Sequence, residues 1–397
     1  MITDAGDRQR LTSVDALRGA VMIVMALDHV RDFFHRAAMT QSPTNLATTT
    51  VAIFLTRWVT HFCMPVFLFT AGIGAYYWRR NGRRSTGELS WFLVTRGLWL
   101  IVLELTAMRL SFDFTFGRDL PVLLITLWAL GMSMIVLAAL VHLPVRGLAA
   151  LSVGVLCLHN LLDPVRAQMF GPLAWLWTLL HQPGAIPLSG VIVVVGYPIL
   201  PLAAIMAAGY AFAASVNLAD SSSRTTVRRL GGWLCVAFVL LRGLNVYGDP
   251  VRWSVQATAA MTVVSFLNVT KQPASLDFVL MTLGPALVLL AWLSRQSFSP
   301  RHPLIVFGRV PLFYFLGHFF LAHLLFIAVI WARYGVFTLR PPPSMGDTAA
   351  IFPPGFGFSL WAAYLAWVVV VVTMYPLCLW FGAFKARHKS EAWTSYV

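Results

Sequence analysis

The chain has 397 residues, of which 58% are apolar and only 11% are charged, and its mean hydropathy is +0.75. A soluble protein usually carries about 25% charged residues, so this composition excludes a soluble globular domain. The formal net charge of +14 comes largely from basic clusters at the ends of apolar runs, such as Arg79–Arg84. Such clusters are typical of membrane topology signals and argue against nucleic-acid binding.

Apolar runs long enough to cross a hydrocarbon core of roughly 30 Å recur along the whole sequence. They predict an all-α polytopic membrane protein with about ten transmembrane helices, organised as a single domain over residues 1–397. Two shorter apolar stretches, residues 167–181 and 254–269, predict re-entrant or interfacial helices. The predicted spans are residues 13–36, 51–78, 88–110, 121–142, 146–162, 189–216, 227–247, 276–295, 304–333 and 358–384.

The distribution of Lys and Arg predicts the orientation, because cytoplasmic loops hold these residues in excess. Alternate loops are rich and sparse in them, with Arg252 and Lys271 as exceptions, which predicts that both termini are cytoplasmic. The rich loops contain Arg8, Arg10, Arg79–Arg84, Arg146, Arg224, Arg228, Arg229, Arg295, Arg301, Lys385, Arg387 and Lys389. The sparse loops balance Arg118 with Asp119 and Arg166 with Asp163.

The longer connections fall on the predicted outer side, where they favour a lid or a substrate vestibule. They span residues 37–50, 163–188, 248–275 and 334–357. The first residues lack an apolar core and a cleavage pattern, so the first span is predicted to be a retained helix. The four cysteines lie in apolar runs without CxxC spacing, which predicts small buried side chains instead of disulfides or a zinc site.

The first predicted span contains charged residues at two depths. Arg18 lies near its start, and Asp28 and His29 lie near its end, about 16 Å further along a helix. Asp15 is spaced to pair with Arg18 at i, i+3. A charged side chain near the bilayer centre costs about 2.5–3.5 kcal/mol, so each such residue is a candidate for function.

Other predicted spans also contain ionisable residues at these two depths. In the second span, His61 lies at about the depth of His29. Arginine suits bidentate phosphate binding, so the cofactor-binding candidates are Arg18, Arg96 and Arg309. Histidine beside a carboxylate suits proton transfer, so the catalytic candidates are His29 or His61 as base, with Asp28 orienting or stabilising the imidazolium. The substrate-binding candidates are Arg31, Arg57, Asn245, Trp253, Lys271, His318 and His323.

Each candidate also has a structural interpretation. Asp28 and His29 could instead form a structural helix–helix hydrogen bond. Arg18 and Arg309 could instead extend their side chains to the lipid headgroups. Arg31 with Asp32 would also mark a helix end, and His35 would suit the membrane interface. A metal site is not predicted, because His318 and His323 are at i, i+5, which does not align two ligands on one helix face.

Four motifs in this order resemble bacterial members of the heparan-alpha-glucosaminide N-acetyltransferase-like family of transmembrane acyltransferases. They are Ser13–Gly19, Pro65–Gly72, Thr270-Lys271 with Ser275-Leu276, and Phe307–Leu312. The resemblance implies a multi-pass protein of the bacterial cytoplasmic (inner) membrane. It implies transfer of an acyl group, typically acetyl, from cytoplasmic acetyl-CoA or another acyl-CoA to a saccharide or amino-sugar acceptor outside. A homodimer is compatible with it, and neither a metal nor a nucleic acid is expected.

The resemblance also implies that a histidine acts at the transfer step, and here the sequence departs from the family. In the lysosomal members this histidine lies in the outer loop between the first two spans, whereas residues 37–50 here contain none. The role would then fall to His29, His35 or His61. Two other classes stay open, namely a proton-coupled small-solute transporter that uses the same histidines and Asp28 as a relay, and a scaffold subunit of an envelope complex.

Overall fold

The structure is a computed structural model. It describes residues 11–114, 116, 121–218, 220, 222–342, 352, 355–391, 394 and 396. Arg8, Arg10, Arg118 and Asp119 of the orientation prediction, and most of the predicted connection 334–357 beyond Pro342, lie outside these residues.

The described residues fold mainly into α-helices, and each of the ten predicted spans contains at least one of them. The first eight helices are α1 (Thr12–Phe34), α2 (Val51–Trp58), α3 (Cys63–Asn81), α4 (Thr86–Leu103), α5 (Arg109–Asp113), α6 (Thr126–Leu140), α7 (Val145–Leu158) and α8 (Ala174–Leu180). The others are α9 (Ile199–Ser215), α10 (Ser223–Leu244), α11 (Ala259–Leu267), α12 (Leu276–Leu293), α13 (Pro303–Arg309), α14 (Pro311–Tyr334) and α15 (Leu360–Arg387).

Among the residues that the structure describes, six helical segments are long and apolar enough to cross a membrane, which confirms the all-α polytopic class. They are Val51–Asn81, Thr86–Phe112, Val145–Leu162, Leu276–Leu293, Pro311–Tyr334 and Leu360–Arg387. Helices α6 and α9 are apolar but shorter, and α1 and α10 carry several charges. The total of about ten, the cytoplasmic termini, the single domain and the interfacial placement of α8 and α11 stay predictions.

A small sheet corrects the predicted helices over 121–142 and 189–216, both of which begin as strands. Its strands are β1 (Val122–Leu124), β2 (Gly184–Leu188) and β3 (Val191–Val195), in the order β1-β3-β2. β3 pairs parallel to β1 and antiparallel to β2. The run of Val and Ile favours a strand, and Ser189 and Gly190 both have positive φ (46° and 83°). Positive φ at both central residues is what a two-residue hairpin turn requires.

Helix α1 lies at the centre of the fold and contacts α3, α12, α13, α14 and α15. Its contact with α13 depends on two glycines of the sequence motifs. A Cβ on Gly19 would overlap the backbone of Leu304, and a Cβ on Gly308 would overlap the backbone of Asp15. The predicted span 304–333 is divided between α13 and α14 immediately before Pro311, since proline cannot donate the backbone hydrogen bond that continues a helix.

Candidate active site

A cavity of about 860 Å³ lies beside the end of α1. We call it the polar cavity. Its walls come from four segments that are far apart in the sequence: the end of α1, the connection that follows it, the α2–α3 junction and the connection before α12. The lining residues are Arg31, Asp32, Ala38, Met39, Thr40, Gln41, Ser42, Pro43, Thr44, Arg57, His61, Val251, Asn268, Val269, Thr270, Lys271 and Gln272.

One carboxylate of α1 holds two guanidinium groups at the polar cavity. Asp28 Oδ2 pairs with Arg57 Nη1 across to α2, and Asp28 Oδ1 lies 3.1 Å from Arg31 Nη2. Arg31 is only 2% exposed and also pairs with Asp32. The expectation that Asp28 orients a histidine is therefore revised, because its described ion pairs are with arginines.

His61 lies where the helix of the second span is interrupted. Residues Val59–Phe62 form a 3₁₀ turn between α2 and α3. Pro65 has no N–H to donate to the carbonyl of His61, four residues earlier, which explains why the helix tightens here. The imidazole lines the polar cavity, packs 5.6 Å from the Phe278 ring, and has no hydrogen-bond partner for Nδ1 among the described atoms.

A second cavity, of about 320 Å³, lies beside the start of α1, and we call it the basic cavity. Arg18, Arg96 and Lys385 are its cationic lining residues. Arg18 Nε donates to Thr70 Oγ1 at 3.1 Å and its Nη2 donates to the Thr70 carbonyl. The other walls are mostly apolar: Met22, Phe67, Ala71, Gly74, Ala75, Trp78, Phe92, Leu93, Leu100, Leu127, Leu130, Met134, Pro311, Leu312 and Phe315, with Thr70 and Thr394.

The two cavities have no lining residue in common. Arg18 and Arg31, which line one cavity each, are 13 residues apart on α1, or about 20 Å along its axis. The two depths predicted for charged residues on the first span therefore correspond to two separate cavities. Of the candidate arginines for the cofactor, Arg18 and Arg96 line the basic cavity, and of the candidate histidines, His61 lines the polar cavity.

The family model described as the catalytic region of heparan-alpha-glucosaminide N-acetyltransferase matches residues 10–247. The chain belongs to this family. Its membership confirms the resemblance and identifies a membrane protein of an acetyltransferase-like family. No curated protein matches the chain. The matched region includes Arg18, Asp28, Arg57, His61 and Arg96, whereas the wall of the polar cavity that contains Lys271 lies beyond it.

Three other histidines of this acetyltransferase-like chain lie among aromatic rings and line neither cavity. His29 is 5.4 Å from the His318 ring and 5.0 Å from the Phe319 ring. His318 Nδ1 lies 2.8 Å from the Tyr314 carbonyl, and His323 Nδ1 lies 2.8 Å from the Ser111 carbonyl. The structure thus brings His61, but not His29, to the polar cavity, and the substrate contact expected of His318 and His323 gains no support from their position.

Arg309 is separated from the other two predicted cofactor-binding arginines. It lines neither cavity, its side chain is 38% exposed, and its Nε lies 4.0 Å from Asp15 Oδ2. Lys385 lines the basic cavity, and the sequence did not predict this role. Its basic neighbours indicated only that it belongs to a cytoplasmic loop. Arg84, from another such cluster, stacks 3.9 Å from the Trp78 ring.

A buried ion network fastens the connection that carries Lys271. Arg242 is 2% exposed and lies 3.6 Å from Asp277 and 3.8 Å from Asp249. It also donates to the carbonyls of Val251, Phe266 and Asn268 at 2.8–3.0 Å. Asp249 in turn accepts from the Thr270 backbone N–H at 2.6 Å and from Ser275 Oγ at 2.7 Å. Residues 268–272 therefore reach the polar cavity on a rigid support.

Asn245 and Trp253 belong to this support and not to a cavity wall. Asn245 Nδ2 donates to the Trp253 carbonyl at 2.9 Å, and the Trp253 N–H donates back to Asn245 Oδ1 at 3.1 Å. Trp253 Nε1 donates to the Arg242 carbonyl at 2.8 Å. Neither side chain lines the polar cavity, so the structure does not bring these two predicted substrate residues to the site.

Within the described ranges, no group of three His, Cys, Asp or Glu side chains is placed to hold a metal ion. The four cysteines are free thiols. Cys63 and Cys378 are buried as expected, but Cys235 is only partly buried and Cys157 is exposed. The expectation of a small buried side chain is thus wrong for Cys157, which is exposed on α7. An exposed face of an apolar transmembrane helix would contact lipid.

Proposed function

We propose that this protein transfers an acyl group, typically acetyl, from cytoplasmic acyl-CoA to a saccharide or amino-sugar acceptor on the outer side of a bacterial inner membrane. The observation that carries the proposal is the pair of cavities at opposite ends of α1 in a member of this family. One cavity is basic with apolar walls, and the other is polar and contains an imidazole.

The basic cavity suits the donor. Coenzyme A combines phosphates with a long flexible pantetheine arm, so it needs cations at one end of its site and tolerates apolar walls along the arm. Arg18 and Arg96 would bind phosphate oxygens through their planar guanidinium groups, and Lys385 would add a third positive charge. The arm would then extend along α1 toward the polar cavity.

The polar cavity suits the acceptor and the proton transfer. His61 would remove the proton from the acceptor hydroxyl or amine as it attacks the thioester carbonyl carbon. The C–S bond then breaks, and the imidazolium returns the proton to the leaving thiolate. Asp28 would act indirectly, by fixing Arg57 and Arg31 at the cavity wall. His29, which does not line this cavity, is the second candidate for the base.

Acetyl transfer by purified protein in proteoliposomes tests the proposal. General-base catalysis is typically worth about 10²–10⁴ in rate, so His61→Ala should lower transfer by that factor while the protein still inserts. His29→Ala tests the alternative base. If both variants keep full activity, the mechanism is wrong. Solute uptake without a thioester would instead favour a proton-coupled transporter. A homodimer stays a prediction that size measurement in detergent would check.

A further inference from the structure

The charges at the polar cavity are unequally paired. Its cations are Arg31, Arg57 and Lys271, and the carboxylates that pair with them are Asp28 and Asp32. Asp28 holds Arg57 and Arg31, and Asp32 holds Arg31. Both carboxylates are thus already used by guanidinium groups.

Lys271 is the cation left over. Across the residues whose placement is described, it takes part in no ion pair within 4 Å. Its Nζ lies 5.6 Å from the centre of the Tyr197 ring, and it interacts with Asp28 only at longer range. Arg31 is also incompletely satisfied, since its buried Nη1 has no described hydrogen-bond partner. The remaining wall offers amides and hydroxyls, including Gln41, Ser42, Thr44, Asn268, Thr270 and Gln272.

This charge pattern discriminates between acceptors. An ammonium group on an amino sugar would meet three cations and would have to compete with arginines for each carboxylate, and like charges at short range repel strongly in a partly desolvated site. An acidic group on the acceptor would instead complement Lys271. Sugar hydroxyls would hydrogen-bond to the amides and hydroxyls of the wall.

We infer that the acceptor is an acidic saccharide, that the acetylated group is a hydroxyl, and that Lys271 binds the acidic group. The inference rests on the proposed function and narrows its acceptor class. Lys271 lies beyond residues 10–247, the region matched by the family model, so the match does not itself assign it a role.

The reaction balances without another reactant. The acceptor hydroxyl oxygen attacks the thioester carbonyl carbon, so that a C–O ester bond forms and the C–S bond breaks. The hydroxyl proton passes to His61 and then to the thiolate, which leaves as a free thiol. One acetyl ester and one thiol are produced from one alcohol and one thioester, with no net proton release.

Competition between matched acceptors tests the inference. The methyl glycosides of glucuronic acid, glucose and glucosamine would be offered with labelled acetyl-CoA, and kcat/KM measured for each. We expect the glucuronide to be preferred by about tenfold or more, as for a hydrogen bond between charged groups. The product should release its label to hydroxylamine, which cleaves esters and leaves amides intact.

Variants assign the preference to Lys271. Lys271→Met should lower the glucuronide-to-glucose ratio of kcat/KM by about tenfold, whereas Lys271→Arg should retain most of it. Lys389→Met removes the same charge from an exposed position after α15 and should leave the ratio unchanged. A preference for glucosamine, an amide product, or an equal effect of Lys271→Met on all acceptors would overturn the inference.

Binding separates this inference from the proposed function. Thermal stabilisation of the purified protein by each methyl glycoside needs no transfer. Selective stabilisation by the glucuronide that is lost in Lys271→Met would support the acidic ligand even if no acceptor were acetylated, in which case the proposed function would be rejected and the binding specificity kept. Equal stabilisation by all three glycosides would count against Lys271 as the determinant.

Discussion

Asp28 of α1 pairs with Arg57 of α2, and its other carboxylate oxygen lies 3.1 Å from Arg31. One largely buried anion, whose side chain is 13% exposed, therefore joins two helices and fixes two guanidinium groups at the polar cavity. Such a carboxylate is more sensitive to removal than an exposed one, because its loss leaves positive charges in a poorly hydrated place.

Asp28→Asn should therefore destabilise the protein by about 3–5 kcal/mol, the range found when one partner of a buried ion pair is removed. Thermal and denaturant unfolding in detergent would measure the loss, and acetyl transfer should fall with it. The double variant Asp28→Asn/Arg57→Gln should recover part of the stability, since it removes one of the unpaired charges. If Asp28→Asn unfolded at the same temperature and denaturant midpoints as the wild type, a structural role for the Asp28–Arg57 pair would be excluded.

The basic cavity predicts a difference between two arginines that sequence reasoning grouped together. Arg96 lines the cavity, whereas Arg309 does not and is 38% exposed. Arg96→Met should raise KM for acetyl-CoA by about tenfold or more, as expected for a lost charge-assisted hydrogen bond. Arg309→Gln should change it less. Equal effects of the two substitutions on KM would show that the donor does not bind in this cavity.

Hydropathy located the helices, and the depths of charged residues along single helices predicted the two chemically distinct ends of α1. A helix has a fixed rise, so the separation of Arg18 from His29 follows from sequence position alone. The interruption near His61 is also explained locally, because Pro65 lies four residues after it. Arg31, Arg57, His61 and Lys271 were predicted and do meet at one cavity.

Partner choice between distant segments could not be predicted in the same way. Whether Asp28 faces a histidine or an arginine depends on how α2 packs against α1, and Asn245 and Trp253 satisfy each other instead of a ligand. Strand β3 was predicted to be the start of a helix, because short apolar runs do not distinguish strand from helix by periodicity. Strand β2 was predicted to be part of the connection over residues 163–188. The signals were present in Ser189-Gly190 and the following Val-rich run.

The ion network under Lys271 predicts an indirect effect on acceptor binding. Asp249 accepts from the Thr270 N–H and faces Arg242, so Asp249→Asn should loosen residues 268–272. We expect KM for the acceptor to rise by about tenfold, as for a lost hydrogen bond to a charged group, with KM for acetyl-CoA unchanged. Asp249→Glu should rescue part of the effect, because it keeps the charge. Asp220→Asn, at an exposed position before α10, should change neither constant.

The orientation of the chain is testable at two exposed serines. Ser42 lines the polar cavity, and Ser299 precedes α13, which packs against the start of α1. Because basic loops stay cytoplasmic, a membrane-impermeant maleimide should label Ser42→Cys in intact cells. It should label Ser299→Cys only after permeabilisation. The protein without added cysteines provides the background from its native thiols.

Reversed labelling would place the basic cavity outside the cell, where it would have no access to cytoplasmic acyl-CoA. The proposed direction of transfer would then be wrong, although the pairing of Asp28 with Arg57 and the family membership would be unaffected. Labelling of both introduced cysteines in intact cells would instead mean that the start of α1 is reachable from outside. The six apolar helical segments would then have to be arranged differently in the membrane from the orientation that the basic loops predict.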